Sequence, residues 1–231
     1  MKRVITLSFI RTLAVVAILI TPARAFTQNL EFAIHADPVI SWMGSNESEY
    51  VNEGVKAGVD IGLDVLHFFA DNYAISSGIS LISAGGRQST TGDQTVVFTN
   101  FTEIVPAGTE MKYNLQYLNI PAGIRLQTNQ VGYLTYFTDL GFDLRVLLKS
   151  TIDLPAMDID HENAKDEVYG MNAGWHIGGG LEYELGIDLS LILGLSYAQD
   201  FFDITKDLED VEQAEDKSGL RMIRIRFGLK F

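Results

Sequence analysis

The sequence predicts an all-β fold, an eight-stranded antiparallel up-and-down transmembrane β-barrel. Three observations predict it. Apolar and polar residues alternate with period two through many segments. No apolar run approaches the roughly 20 residues of a spanning helix. The connections between alternating segments are short and long in strict turn, as in outer-membrane barrels with tight turns on one side and loops on the other.

The elements follow in order. Lys2 and Arg3, the apolar run Leu13 to Ile20 and the small-x-small pattern Ala23-Arg24-Ala25 read as a secretory signal peptide over 1–25, with the barrel domain over 26–231. The first strand is expected over Leu30 to Met43. In the second, Val55 to Phe69, Val55, Ala57, Val59, Ile61, Leu63 and Val65 share the outer face, and Lys56, Asp60 and Asp64 point inward. The third and fourth run from Tyr73 to Arg87 and from Met111 to Leu126. The fifth sets Leu140, Phe142, Leu144, Val146 and Leu148 against Asp139, Asp143 and Arg145, a row of charge that a soluble sandwich would rarely bury. The sixth, Trp175 to Leu185, alternates throughout; the seventh is Leu189 to Tyr197. The last sets Ile223, Ile225, Phe227, Leu229 and Phe231 against Arg224, Arg226 and Lys230.

Short turns are expected at Ala70-Asp71-Asn72, Thr128 to Val131 and Gly186-Ile187-Asp188. Long loops are expected at Gly44 to Gly54, Gln88 to Glu110, Ile152 to Glu167 and Lys206 to Lys217. In hydrocarbon an open sheet edge leaves amides unsatisfied, so the eighth strand must pair with the first. Trp42, Tyr73, Tyr113, Tyr133, Tyr169 and Trp175 fall near strand ends and are expected at the membrane interfaces. Glycines at Gly178-Gly179-Gly180 sit mid-strand, where they relieve crowding at a curved wall and open no phosphate-binding helix.

An eight-stranded barrel is just wide enough for side chains to fill it. On this register the lumen receives Asp37, Asp60, Asp64, Asp139, Asp143, Glu182, Glu184 and Asp200. Lys56, Arg125, Arg145, Arg224, Arg226 and Lys230 oppose them, so a salt-bridged plug is expected. The net charge of −13 becomes −17 once the signal peptide takes away Lys2, Arg3, Arg11 and Arg24, which argues against nucleic acid as a partner. With no cysteine there is no disulfide framework and no lipid-bearing N-terminal cysteine.

No catalytic, cofactor-binding or metal-binding residue is assigned, and no cofactor is expected. The four histidines are His35, His67, His161 and His176; His35 and His176 fall inward near acids as hydrogen-bonded filler. Asp158-Ile159-Asp160-His161-Glu162 and the run Asp207, Glu209, Asp210, Glu212, Glu215, Asp216 lack the glycine and terminal glutamate of an EF-hand loop, so solvated acidic loops are expected. They could bridge to lipopolysaccharide through divalent cations. Asn46-Glu47-Ser48 and Asn100-Phe101-Thr102 match a glycosylation pattern by chance.

Tyr117-Leu118-Asn119-Ile120-Pro121, followed by Gly123, Ile124 and Arg125, resembles the central strand motif of the PorT-like outer-membrane β-barrel family of Bacteroidota. Members often carry Glu where this chain has Asn119. The last strand ending in Phe231 is similar to the C-terminal signal read by the barrel-insertion machinery. The even strand count with tight turns inside places both mature termini in the periplasm, and the resemblance implies an integral outer-membrane protein in contact with outer-membrane lipids and lipopolysaccharide. It also implies a link to envelope or secretion proteins. A non-enzymatic, monomeric structural or interaction role is expected; the alternatives are a narrow pore and a lipid-modifying or proteolytic enzyme.

Overall fold

Period-two alternation leaves each segment with one greasy and one polar face, and a closed cylinder separates the two completely. The computed structural model describes residues 29–45, 50–205 and 218–231, and it shows that cylinder. The strands are β1 Leu30–Ser45, β2 Tyr50–Gly54, β3 Lys56–Ala70, β4 Tyr73–Thr90, β5 Gln94–Val97, β6 Thr102–Val105, β7 Glu110–Gln127, β8 Leu134–Leu154, β9 Ile159–Asn163, β10 Met171–Gly186, β11 Leu189–Asp200 and β12 Ser218–Lys230. Eight of them form the wall in the order β1-β3-β4-β7-β8-β10-β11-β12, every neighbour antiparallel, and β12 returns to β1. The seam is tied at its last residue: Phe32 and Phe231 exchange both backbone hydrogen bonds, at 3.0 and 2.8 Å, and their rings stack.

The expected facing holds. Ile61, Ile75, Leu81, Leu140, Phe142 and Leu195 are each more than half exposed on the outer wall, whereas Asp37, Asp60, Asp143 and Arg145 are buried in the lumen. Aromatic pairs ring both ends of the apolar band. Phe69 with Tyr73 and Tyr133 with Tyr183 lie at the turn end; Trp42 and Trp175 flank Tyr197 towards the loop end. Tyr113 is a correction. It stands in register with the inward residues of β7 and is 1% exposed, because the parity that sends Ile120 and Ile124 to lipid sends Tyr113 inside.

The turns at 71–72 and 187–188 are tight, the second with Asp188 at φ 57°. The third, 128–133, is longer than expected because Val131 and Leu134 bridge there first. Three expected loops are partly strand. β2 pairs with the outer part of β4, β5 and β6 form a hairpin between β4 and β7, and β9 folds back on β8. Loop is the expectation there, but paired β-extensions satisfy backbone groups that irregular chain would leave to water. A bulge in β8 opposite Gln116 and Tyr117 reverses facing, so Leu148 stays outside while Ser150, Ile152 and Leu154 turn in. The expected signal peptide, the Asn46-Glu47-Ser48 pattern and the acidic run from Asp207 to Asp216 lie outside the described residues.

Mid-wall glycines answer to contact. A Cβ on Gly180 would sit 2.2 Å from the Leu193 carbonyl oxygen and 2.7 Å from Gly194 Cα. The strands there approach too closely for any side chain.

Candidate functional site

The lumen is divided into two chemistries. Towards the loops it is apolar: Val39, Met43, Ile82, Met111, Tyr113, Leu115, Tyr117, Leu220 and Met222 form one buried cluster. That cluster continues without a break into the loops through Val96 and Phe98 of the hairpin, Val105, Ile152, Leu154, Val168 and Ile204. Backbone bonds lock the cap: Thr99 N–H donates to Asn163 O at 2.9 Å, Tyr169 N–H to Ile204 O at 2.8 Å and Ile204 N–H to Ser218 O at 3.0 Å. Burial of Phe98 here implies a measurable dependence. Phe98→Ala is expected to cost about 3 kcal/mol, and because the loss falls in the cap, protease should cut the hairpin faster while the wall stays intact.

Towards the turns the lumen is ionic, as expected. Arg226 Nε donates to Asp37 Oδ2 at 2.9 Å and its Nη1 to Asp64 Oδ2 at 2.5 Å. Arg224 is shared between Asp60 at 3.4 Å and Asp143 at 3.5 Å. Arg145, with no exposed surface, pairs with Asp143 and Asp200, and Asp200 also accepts from Asn172. Arg125 makes a two-pronged pair with Asp139, both bonds 2.8 Å, reaches Glu182 at 3.0 Å and lies over the Phe137 ring. Lys230 joins Glu182 to Glu31 at the rim. Two expected members lie apart. Lys56 stands near the loop end and donates to Asn114, and Glu184 is exposed at the turn-end mouth, where it accepts from Gln130.

Both inward histidines meet acids. His35 places Nδ1 3.1 Å from Asp37 and Nε2 3.7 Å from Asp64; His176 places Nδ1 3.2 Å from Asp143. Each ring packs over a glycine of the next strand, for a Cβ on Gly62 would lie 2.7 Å from His35 Nε2 and one on Gly141 2.8 Å from His176 Cε1. His161 is exposed in the third loop, near Asp153.

Two prolines break ladders that would otherwise be continuous. Pro38 interrupts β1 against β12, and there Asp37 Oδ1 accepts the Phe227 N–H at 3.0 Å. Pro121 interrupts β4 against β7, and Ser77 Oγ donates to the Pro121 carbonyl. Of the sequence motif, Tyr117 lies under the apolar cluster and Asn119 faces Asp143 and Ser80, both at 3.5 Å.

A closed antiparallel cylinder with lipid-type residues outside and charge enclosed is the architecture of a transmembrane barrel. The family model described as an outer membrane protein beta-barrel domain matches residues 24–206. The chain belongs to that family. It is an integral outer-membrane barrel protein. No curated protein matches it. Among solved structures it is similar to Neisserial surface protein A, at 11% identity and TM-score 0.46, covering 86% of this chain and 95% of that one. It is also similar to the attachment invasion locus protein Ail of Yersinia pestis, at 12% and 0.42, covering 88% and 100%. OprG of Pseudomonas aeruginosa matches at 15% and 0.43, covering 87% and 95%.

Proposed function

We propose that this barrel is a non-conducting, non-enzymatic membrane platform that holds its loops as an ordered interaction surface. The observation that carries the reading is the single apolar cluster that fills the loop-end lumen and runs into the hairpin and the folded-back strand. Loops packed into a core are held in one shape, and binding surfaces on a rigid scaffold lose little entropy on engagement. The short turns and both ends of the barrel chain face the periplasm on this reading, supported by the contrast between tight turns at one end and long connections at the other. The exposed acids Asp158 and Asp160 keep the outer face negative and are suited to bridging lipopolysaccharide phosphates through divalent cations. Phe231, which ties the seam, is offered to the insertion machinery before closure. The Tyr117 to Pro121 motif supports placing the chain among PorT-like barrels, and a role beside secretion components rests on that resemblance alone.

The test is single-channel recording on the purified chain in planar bilayers: no stable open level is expected. A second reading, a narrow ion path, draws on the vestibule of about 670 Å³ at the turn end and a smaller cavity of about 60 Å³ among the charged residues. Steady unitary conductance would favour it and end the platform reading.

A further inference from the structure

The charges of the lumen do not balance. Arg125 and Lys230 answer Asp139 and Glu182, and Lys230 also reaches Glu31 at the rim. The other three guanidinium groups of the lumen, Arg145, Arg224 and Arg226, face five carboxylates: Asp37, Asp60, Asp64, Asp143 and Asp200. With the His35 and His176 rings neutral, two negative charges are left over, and none of these five carboxylates is exposed. Uncompensated buried charge is expensive, so these carboxylates call for two further positive charges.

His35, Asp37 and Asp60 each offer a ligand atom, and the three lie within 4.8 Å of one another, all buried. Asp60 has no exposed surface and its Oδ1 has no hydrogen-bond partner. Both His35 and Asp60 line the cavity of about 60 Å³, which has room for the waters that complete a coordination shell. We propose that His35, Asp37 and Asp60 bind one divalent transition cation inside the barrel. The imidazole nitrogen selects a Zn²⁺-like or Mn²⁺-like ion over Ca²⁺, and two carboxylates with one imidazole suit such ions. The ion supplies the two missing charges. Arg224, held by Asp60 only at 3.4 Å, is then released to Asp143, and Arg226 keeps Asp64 and Asp37. Gly62 is part of the site because only a residue without a side chain leaves the His35 ring its place. The wall thus carries an internal cross-link between β1 and β3 that does not depend on the loops.

The full chain, folded in detergent micelles and checked by its heat-modifiable gel mobility, is dialysed against Zn²⁺ or Co²⁺ and its metal content measured. About one equivalent per chain is expected, falling below about a fifth in Asp60→Asn and in His35→Gln, and unchanged in Asp160→Asn of the exposed loop. Co²⁺ should also shift the imidazole resonances of His35 paramagnetically, a reading on the unaltered chain that stands even if both lumen variants fail to fold. A metal-free wild type, binding that survives Asp60→Asn, binding lost with Asp160→Asn, or an unshifted His35 would each overturn the site. Imidazolium signals from both His35 and His176 in the metal-free chain at neutral pH would also do so, since protons would then supply the charge.

Discussion

Arg145→Met should destabilise the barrel by about 3–5 kcal/mol, the range for removing one member of a buried ion pair. Arg145 has no exposed surface, and among the described residues it is the only guanidinium that pairs with Asp200. Methionine fills the volume but leaves Asp200 with one amide donor from Asn172, and leaves Asp143 to Arg224 and Asn119, both at 3.5 Å, and to His176. The cost comes from stranded carboxylates more than from the lost attraction, so the double change Arg145→Met with Asp200→Asn should recover a large part of it. Urea titration of the micelle-bound chain, followed by gel mobility, measures both. An unaltered midpoint for the single variant would mean that this network is solvated and not enclosed.

Ile61→Arg should cost about 2–4 kcal/mol, the depth-dependent penalty of a cation on the lipid face of a barrel near the midplane. Ile61 is 55% exposed, between Ala36 and Leu81 on neighbouring strands and inside the aromatic rings. In a water-soluble protein the same change at such an exposed position would be nearly neutral, within about 0.5 kcal/mol. Ile104 of the hairpin, 65% exposed, is the matched control, and arginine there should have that small effect. Equal effects at the two positions in lipid vesicles would remove the distinction between wall and cap on which the membrane assignment depends.

The wall was legible because its physics is local. Leu140 against Asp139, or Ile225 against Arg224, reads directly as outside against inside, since a strand turns each successive side chain through half a circle. The closing pair β1 and β12 was legible for a different reason, that an unpaired edge has no place in lipid. Tyr113 was misread because aromatic identity near a strand end suits both an interface and a core, and only its register parity separates them. The hairpin of β5 and β6 was hidden in a stretch whose buried apolar residues, Val96, Phe98 and Val105, have no period of their own.

The cross-section of the lumen belongs to the same divide. That Asp37, Asp60, Arg224 and Arg226 point inward follows from the sequence alone, as does the eight-strand count, because alternation and connection length are properties of the chain in order. Which of them meet, that the outer half of the lumen is greasy, and that His35 and Asp60 share a cavity with two charges unanswered were decided only by closure. Strand stagger brings Asp37 beside Arg226 across 189 positions, and no spacing along the chain encodes a distance of that kind.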